Sequence, residues 1–307
     1  MSVERKFKLA LDETRLLMLA SQILFGFEFQ SVFQDGFASW PQASRRADGA
    51  GLMLMVLTIA FLLAPTGLHR LAEHGQDTGR LRTALTRFTE AALLPFAMSL
   101  GIDLFVVLGG AFGPAAGIAI GAGFFALALL GWYVVEFVFR EAVLKKKRNV
   151  GNKRGDTPTP LDARIDQMLT EARIALPGAQ ALLGFQLAVT LTKAFGELPM
   201  QVRIVHAVSL LAVAVALILL VAPAAFHRIA FDGEDTERFF GIGSNLVSAA
   251  LLPLLIGIAG DIYVAIGRIL DNDDLGMIAG AASFVLLFGL WYVFPLTLRW
   301  MAPKTPS

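Results

Sequence analysis

The chain contains no cysteine, which excludes disulfides, thiolate metal sites and cysteine nucleophiles. It is also poor in charge, since only 17% of its 307 residues are charged, against about 25% in soluble domains. The P-loop, the Rossmann glycine pattern, His-Glu-x-x-His and Gly-x-Ser-x-Gly are all missing from the sequence. We therefore expect no enzyme activity, no cofactor and no metal site.

Apolar residues are abundant instead. They make up 56% of the chain, and the mean hydropathy is +0.64. A helix needs about 20 mostly apolar residues to cross a bilayer, and several runs of that kind occur, including those that start at Gly51 and Ser209. The first apolar run carries Glu28 and lacks a clear cleavage site, which favours a retained span over a signal peptide. The composition predicts an integral membrane protein.

The sequence repeats itself at an offset of 158 residues. LAPTGLHR at 63–70 matches VAPAAFHR at 221–228, and QILFGF from residue 22 matches QALLGF from residue 180. HGQDTGR matches DGEDTER and, after one inserted residue, GWYVVEFVFR matches LWYVFPLTLR. Matched polar and aromatic residues do not arise from low-complexity Leu/Ala runs, so the pattern indicates an internal duplication.

Each copy contains four candidate spans. They cover 16–34, 51–68, 88–108 and 115–139 in the first copy, and 174–192, 205–226, 246–267 and 275–297 in the second. We predict an all-α membrane protein of eight transmembrane helices, built as two parallel, non-inverted four-helix repeats. Its predicted parts are an N-terminal region 1–12, a first repeat 13–140, a basic linker 141–170, a second repeat 171–299 and a tail 300–307.

The distribution of Lys and Arg predicts the orientation. An even number of spans returns both termini and the linker to one face, which carries most of the basic residues. The opposite face has only Arg45, Arg46, Lys193, Arg203 and Arg268. The positive-inside rule therefore predicts that both termini are cytoplasmic, in a bacterial inner membrane. We interpret the basic linker as a topology signal in contact with anionic lipids, not as a nucleic-acid site.

Ionisable side chains within spans are functional candidates because their burial in lipid is costly. At about 1.5 Å per helical residue, Glu28 and Asp103 lie at similar depth in the outer half of the membrane. Two carboxyl groups there could share a proton or hold a cation between them. Their matched residues in the second copy are Gln186 and Asp261. These four residues form the predicted ion- or substrate-binding site.

A structural interpretation of the same aspartates stays open. Asp103 and Asp261 could be hydrated near a helix end, or could pair with Arg45 and Arg203, which also match between the copies. In that case they would stabilise the protein without binding a substrate.

Other polar residues form a second layer near the cytoplasmic face. The candidates for a relay at this face are His69, Arg70, Glu90 and Glu136, with His227 and Arg228 in the second copy. The alternative is that the arginines extend to lipid headgroups and that the layer holds ordinary hydrated ion pairs. The segment Gly-x-Asp-Thr-x-Arg precedes each third span, where Asp77 and Asp235 are predicted helix N-caps.

Two matched Gln-x-x-x-Gly pairs are predicted to pack helices together. They are Gln22 with Gly26 and Gln180 with Gly184. Small residues allow close approach of helices in lipid, and a glutamine there can form hydrogen bonds between them.

The motifs Glu-x-Arg, Gln-x-Leu-x-Gly-Phe, Ala-Pro-x-x-x-His-Arg and Leu-Pro…Asp together resemble a poorly characterised family of bacterial four-span membrane proteins. Members are often labelled sodium/proton antiporters, and each copy here is similar to one such unit, at 13–140 and 171–299. The resemblance implies a fused dimer that transports a proton or small monovalent cation as a secondary transporter or channel. The competing hypothesis is a non-transporting scaffold, assembly factor or lipid-binding protein.

Overall fold

The structure is a computed structural model that describes residues 3–134, 159–229, 231 and 234–301. All regular elements in these ranges are helical. The first repeat contains α1 (Val3–Ser31), α2 (Gln42–Gly67), α3 (Gly79–Phe112) and α4 (Pro114–Leu129). The second contains α5 (Leu161–Thr190), the short α6 (Lys193–Gly196), α7 (Met200–Ile229), α8 (Glu237–Leu270), α9 (Asp273–Phe288) and α10 (Phe294–Met301).

Seven helical segments of the described chain are long and apolar enough to cross a membrane. They are Gln42–Ala72, Gly79–Phe112, Pro114–Tyr133, Leu161–Thr190, Met200–Arg228, Glu237–Leu270 and Asp273–Met301. The first predicted span corresponds to a shorter apolar stretch, Leu16–Ser31, within α1. Large apolar side chains are exposed along these helices, as at Leu211 and Ile218, which suits contact with lipid. The long apolar helices therefore indicate an integral membrane protein.

The helices run alternately between two ends of the bundle. We call the end that holds the α1–α2, α6–α7 and α8–α9 connections the distal end. The other end, where α2 stops and α3 and α5 begin, is the linker end. The first residue of α3 follows Thr78, whose hydroxyl accepts a hydrogen bond from the Leu81 amide, and Thr236 caps α8 in the same way through the Phe239 amide. The threonines, and not the predicted Asp77 and Asp235, are therefore the N-caps.

Matched glycines bring the last two helices of each repeat close together. A Cβ added to Gly117 would lie 2.6 Å from Cα of Gly109. In the second copy, a Cβ on Gly276 would lie 2.8 Å from Cα of Gly267. Backbones at this distance leave no room for a side chain, so glycine is required at the crossing.

A matched π-helical turn follows α4 and α9, at Leu130–Val134 and Gly289–Val293. In the first copy the Tyr133 hydroxyl donates to the backbone oxygen of Glu90 at 2.7 Å. In the second, Tyr292 donates to the matched oxygen of Ser248 at 2.6 Å. The repeated Trp-Tyr motif thus ties the fourth span of each copy to its third.

Contacts between the two copies are not symmetric. Helix α1 packs along α5, and α2 packs against α8 and the π turn after α9. There the indole of Trp291, which is fully buried, donates to the Ala60 oxygen at 2.9 Å. The apolar window of α2 is 78% buried, whereas that of the matched α7 is 28% buried. Helix α2 therefore lies at the centre of the molecule and α7 at its periphery.

Candidate functional site

The predicted residues Glu28 and Asp103 lie together between α1 and α3, near the distal end. Both carboxyl groups border the same small space beside Gly51, where an added Cβ would lie 3.3 Å from Oδ1 of Asp103 and 3.6 Å from Oε1 of Glu28. The Ser99 hydroxyl lies 2.6 Å from Oε1 of Glu28. The same hydroxyl lies 3.0 Å from the backbone oxygen of Gly51 on α2. Two neighbouring buried carboxyl groups avoid two bare negative charges when they share one proton. The pair is therefore the candidate proton-binding site of the first copy.

A third carboxyl group, that of Asp48 on α2, belongs to the same site. It is 5% exposed and is linked to Glu28 through Ser31. The Ser31 hydroxyl lies 2.8 Å from the backbone oxygen of Glu28 and 3.3 Å from Oδ1 of Asp48. Asp48 was not among the predicted site residues, because the second span was predicted to begin at residue 51, whereas α2 begins at Gln42. We call Glu28, Asp48 and Asp103 the first polar cluster.

The second copy holds an equivalent cluster of Gln186, His206 and Asp261, all fully buried. The amide of Gln186 donates to Oδ2 of Asp261 at 2.8 Å. The His206 ring nitrogen Nε2 lies 3.1 Å from the backbone oxygen of Gln186, and Nδ1 lies 3.9 Å from Oδ1 of Asp261. The ring stacks on Phe29 of α1 at 5.8 Å between centroids. We call these three residues the second polar cluster.

All three positions of the two clusters match at the offset of 158. Glu28 corresponds to Gln186, Asp48 to His206 and Asp103 to Asp261. This match was the available signal for Asp48 and His206, since a titratable residue occupies both positions. The first copy places three acids where the second has one acid, one amide and one imidazole. The two copies therefore differ in their capacity to bind protons.

The glycine and the serine next to each cluster have exchanged positions between the two copies. Gly51 and Ser99 in the first copy correspond to Ser209 and Gly257 in the second, so the serine changes helix. The Ser209 hydroxyl donates to the Val205 oxygen at 3.0 Å. The hydroxyl that contacts a carboxyl group in the first cluster is thus directed to backbone in the second.

The arginines considered as partners of the aspartates are placed elsewhere. Among the described residues, Arg45 and Arg203 form no ion pair with Asp103 or Asp261, and the Nε atom of each arginine is buried without a hydrogen-bond partner. Asp261 is held by Gln186 instead.

At the linker end, His69 and Arg70 bind Glu171 of the second copy. Nδ1 of His69 contacts Oε1 of Glu171, and Nε of Arg70 contacts Oε2. All three side chains are almost fully buried. Arg70 also donates to the Ser244 hydroxyl at 3.1 Å. Glu171 matched Glu13 in the duplication but carried no predicted role, because its partners lie in the other copy.

The matched His227 and Arg228 have different surroundings. His227 lies 3.2 Å from Asp235, with 24% and 42% of the two side chains exposed. Arg228 is exposed. Glu90 is half-buried and offers its backbone oxygen to Tyr133. Glu136 lies outside the described residues. Only the first copy's His-Arg pair is therefore built into the interior.

The predicted packing residues also have different surroundings in the two copies. A Cβ on Gly26 would lie 2.1 Å from the Phe185 ring, and Gln22 is buried against Gly178 of α5. Gln180 is exposed, and a Cβ on Gly184 would meet no atom within 4 Å. Gln22 and Gly26 thus lie in the contact between the copies.

No group of three His, Asp or Glu side chains within the described ranges is arranged to hold a metal ion. Outside the spans, burial lowers the pKa of His74 below its usual 6.5, and the positive charge of Arg299 acts in the same direction.

The sequence matches a family described as a family of unknown function, DUF6328, over residues 2–136 and again over 156–295. The chain therefore belongs to this family and contains its unit twice, which agrees with a tandem duplication. No curated protein and no solved structure matches the chain.

Proposed function

We propose that the protein is a secondary transporter or channel for protons or small cations, with the first polar cluster as its ion-binding site. The close placement of the Glu28 and Asp103 carboxyl groups around Gly51 and Ser99 is the observation that carries this proposal. Buried carboxyl groups are costly in a membrane protein and are found where ions or protons pass. A pair that shares a proton exchanges it without leaving two bare charges in the bilayer.

The surroundings of the pair support proton exchange. Asp48 adds a further acceptor on the distal side, and the hydroxyls of Ser31 and Ser99 contact the carboxyl groups. Hydroxyl groups both donate and accept hydrogen bonds, so they can relay a proton between acids.

The test is proton flux into proteoliposomes, measured for wild type and single variants. We expect Asp103→Asn to reduce the flux roughly 100-fold, which is typical of losing a proton-transfer group. Asp261→Asn is the matched control, because the second cluster lacks a carboxyl pair, and it should retain most of the flux. Equal loss in both variants, in protein that remains folded by thermal unfolding, would contradict a site confined to the first copy.

A non-transporting scaffold is the second candidate, and the second polar cluster favours it. Asp261 is fully buried and bound by Gln186, an arrangement that stabilises helix contacts. If wild-type proteoliposomes show no proton flux with or without Na⁺, K⁺ or Li⁺, the scaffold becomes the better proposal.

A further inference from the structure

A cavity of about 570 Å³ opens at the distal end, away from the carboxyl pair. It lies between the start of α2, the α6–α7 connection and the turn from α8 to α9. Its charged lining residues are Arg45, Glu197, Arg268, Asp271 and Asp273. This volume falls within the range of about 300–1,000 Å³ that is usual for small-molecule sites.

The charges of this cavity are not neutralised by one another. Across the described chain, neither arginine of the lining forms an ion pair with Glu197, Asp271 or Asp273. The negative charge of Glu197 acts on the Arg268 guanidinium from a distance. The ion-pair partner of Glu197 is Lys193, which lies 3.8 Å away on the exposed surface. Two cationic and three anionic side chains therefore line one space, and within the described residues no arginine of the lining is within ion-pair distance of an acid of the lining.

Arg268 is held in place by the protein. Nε of Arg268 donates to the Val32 oxygen at 2.8 Å, and its guanidinium lies 5.4 Å from the Phe33 ring centroid. Arg45 adds a second positive charge to the cavity wall. A guanidinium can bind a carboxylate or phosphate through two parallel hydrogen bonds. The two arginines thus offer a site for an anionic group.

The acids lie on the turn across the cavity. Asp271 ends α8 in the left-handed conformation that is common at helix C-termini, with φ of 50°, and its amide donates to the backbone oxygen of Arg268. This cap fixes the position of Asp271 at the cavity wall. Asp273 follows in the first turn of α9. Their carboxylates can accept hydrogen bonds from an ammonium group.

From this arrangement we infer that the distal cavity binds a zwitterion that carries a phosphate or carboxylate group and an ammonium group. The anionic group would be bound by Arg45 and Arg268, and the ammonium group by the acids of the α8–α9 turn. Both a soluble zwitterion and the headgroup of phosphatidylethanolamine have this chemistry. The site is separate from the carboxyl pair, so the inference does not depend on ion transport.

Two measurements distinguish a soluble zwitterion from a lipid headgroup as the ligand. Phosphoethanolamine is titrated into the purified full-length protein by calorimetry, with inorganic phosphate and ethanolamine as single-charge comparisons. In parallel, the thermal unfolding midpoint is measured in phosphatidylglycerol vesicles with and without phosphatidylethanolamine. Binding of phosphoethanolamine indicates a soluble ligand. A midpoint raised by phosphatidylethanolamine, without binding of the soluble probe, indicates the lipid.

Variants assign the effect to the cavity. We expect Arg45→Gln and Asp271→Asn each to weaken binding at least about tenfold, or to abolish the lipid effect, because each removes one charge-assisted contact. Asparagine tolerates the left-handed conformation, so Asp271→Asn should fold. Arg203→Gln is the matched control, since Arg203 is the repeat partner of Arg45 and lies outside the cavity lining.

Any one of three results would overturn the inference. The first is that neither phosphoethanolamine nor phosphatidylethanolamine has an effect, and the second is that inorganic phosphate binds as tightly as phosphoethanolamine. The third is that Arg203→Gln weakens binding as much as Arg45→Gln. Unfolding of each variant without ligand separates loss of the site from loss of the fold.

Discussion

At the residue scale, Gly51 determines how much space the first polar cluster has. A Cβ at this position would lie 3.3 Å from Oδ1 of Asp103, 3.4 Å from Oγ of Ser99 and 3.6 Å from Oε1 of Glu28. We expect Gly51→Ala to displace the carboxyl pair and to reduce proton flux. The cost in the free energy of unfolding should stay within about 1–3 kcal/mol, as for other overpacked sites. Flux assays and denaturant unfolding test both effects.

The control for this variant is Gly110→Ala in α3, because a Cβ there would meet no atom within 4 Å. It should leave the flux unchanged and should not destabilise the protein, since alanine is the better helix former. Full flux in Gly51→Ala would mean that the geometry of the pair does not limit proton movement.

His74 is expected to make the stability of the protein depend on pH. Its pKa is lowered in the folded protein, so the unfolded chain binds the proton more readily. As the pH falls below about 6.5, protonation of His74 in the unfolded chain therefore lowers the free energy of unfolding. This loss of stability is complete only below the lowered pKa of His74 in the folded protein. The wild type should lose stability between about pH 7.5 and pH 5.5 more steeply than His74→Asn.

Asparagine suits this comparison because His74 has φ of 49°, in the left-handed region that asparagine tolerates. Thermal unfolding midpoints at the two pH values give the slopes. Equal slopes for the two proteins would show that His74 does not contribute to the acid sensitivity.

At the scale of elements, Glu171 of α5 binds the π-helical turn Leu68–Ala72, which follows α2 of the first copy. Replacing it with glutamine leaves the buried Arg70 without an anionic partner. We expect Glu171→Gln to lower the free energy of unfolding by about 3–5 kcal/mol, the usual effect of removing one partner of a buried ion pair. Denaturant unfolding in detergent micelles measures the change.

Asp235→Asn is the matched comparison, because it removes the partner of His227 in the second copy. That pair is partly exposed, so the cost should be about 0–1 kcal/mol. Similar losses in the two variants would mean that burial at the linker end does not determine the strength of these contacts.

The elements themselves were largely predictable, because hydrophobic runs and the duplication depend only on local sequence. Each of the eight predicted spans overlaps a helix, although most helices extend beyond the apolar run, as at Asp48. The proximity of Glu28 to Asp103 could be predicted from their similar depth along two helices. The contact of Glu171 with His69 and Arg70 could not be predicted, since it depends on how one copy packs against the other.

At the scale of the whole molecule, duplication did not produce equivalent halves. Helix α2 is enclosed while α7 faces outward, and three acids in the first copy correspond to one in the second. A sequence match identifies which positions are equivalent but not which copy supplies the buried helix. Tertiary contacts such as that of Trp291 with Ala60 decide that, and they join residues 231 positions apart.

The orientation of the whole molecule can be tested by single cysteines, because the natural chain has none. Ser39 and Lys193 are exposed at the distal end, and Gly79 and Glu234 are exposed at the linker end, one residue from each copy. The excess of Lys and Arg near the linker predicts that this end faces the cytoplasm.

A membrane-impermeant maleimide should therefore label Ser39→Cys and Lys193→Cys in intact cells. Gly79→Cys and Glu234→Cys should react only after the membrane is permeabilised. Labelling of the linker-end pair alone in intact cells would reverse the orientation and place the distal cavity in the cytoplasm. Labelling of one residue from each pair would contradict parallel repeats, and with them the equivalence of the two polar clusters. The expected pattern would place the zwitterion cavity outside the cell membrane, with Asp48 between that cavity and the carboxyl pair.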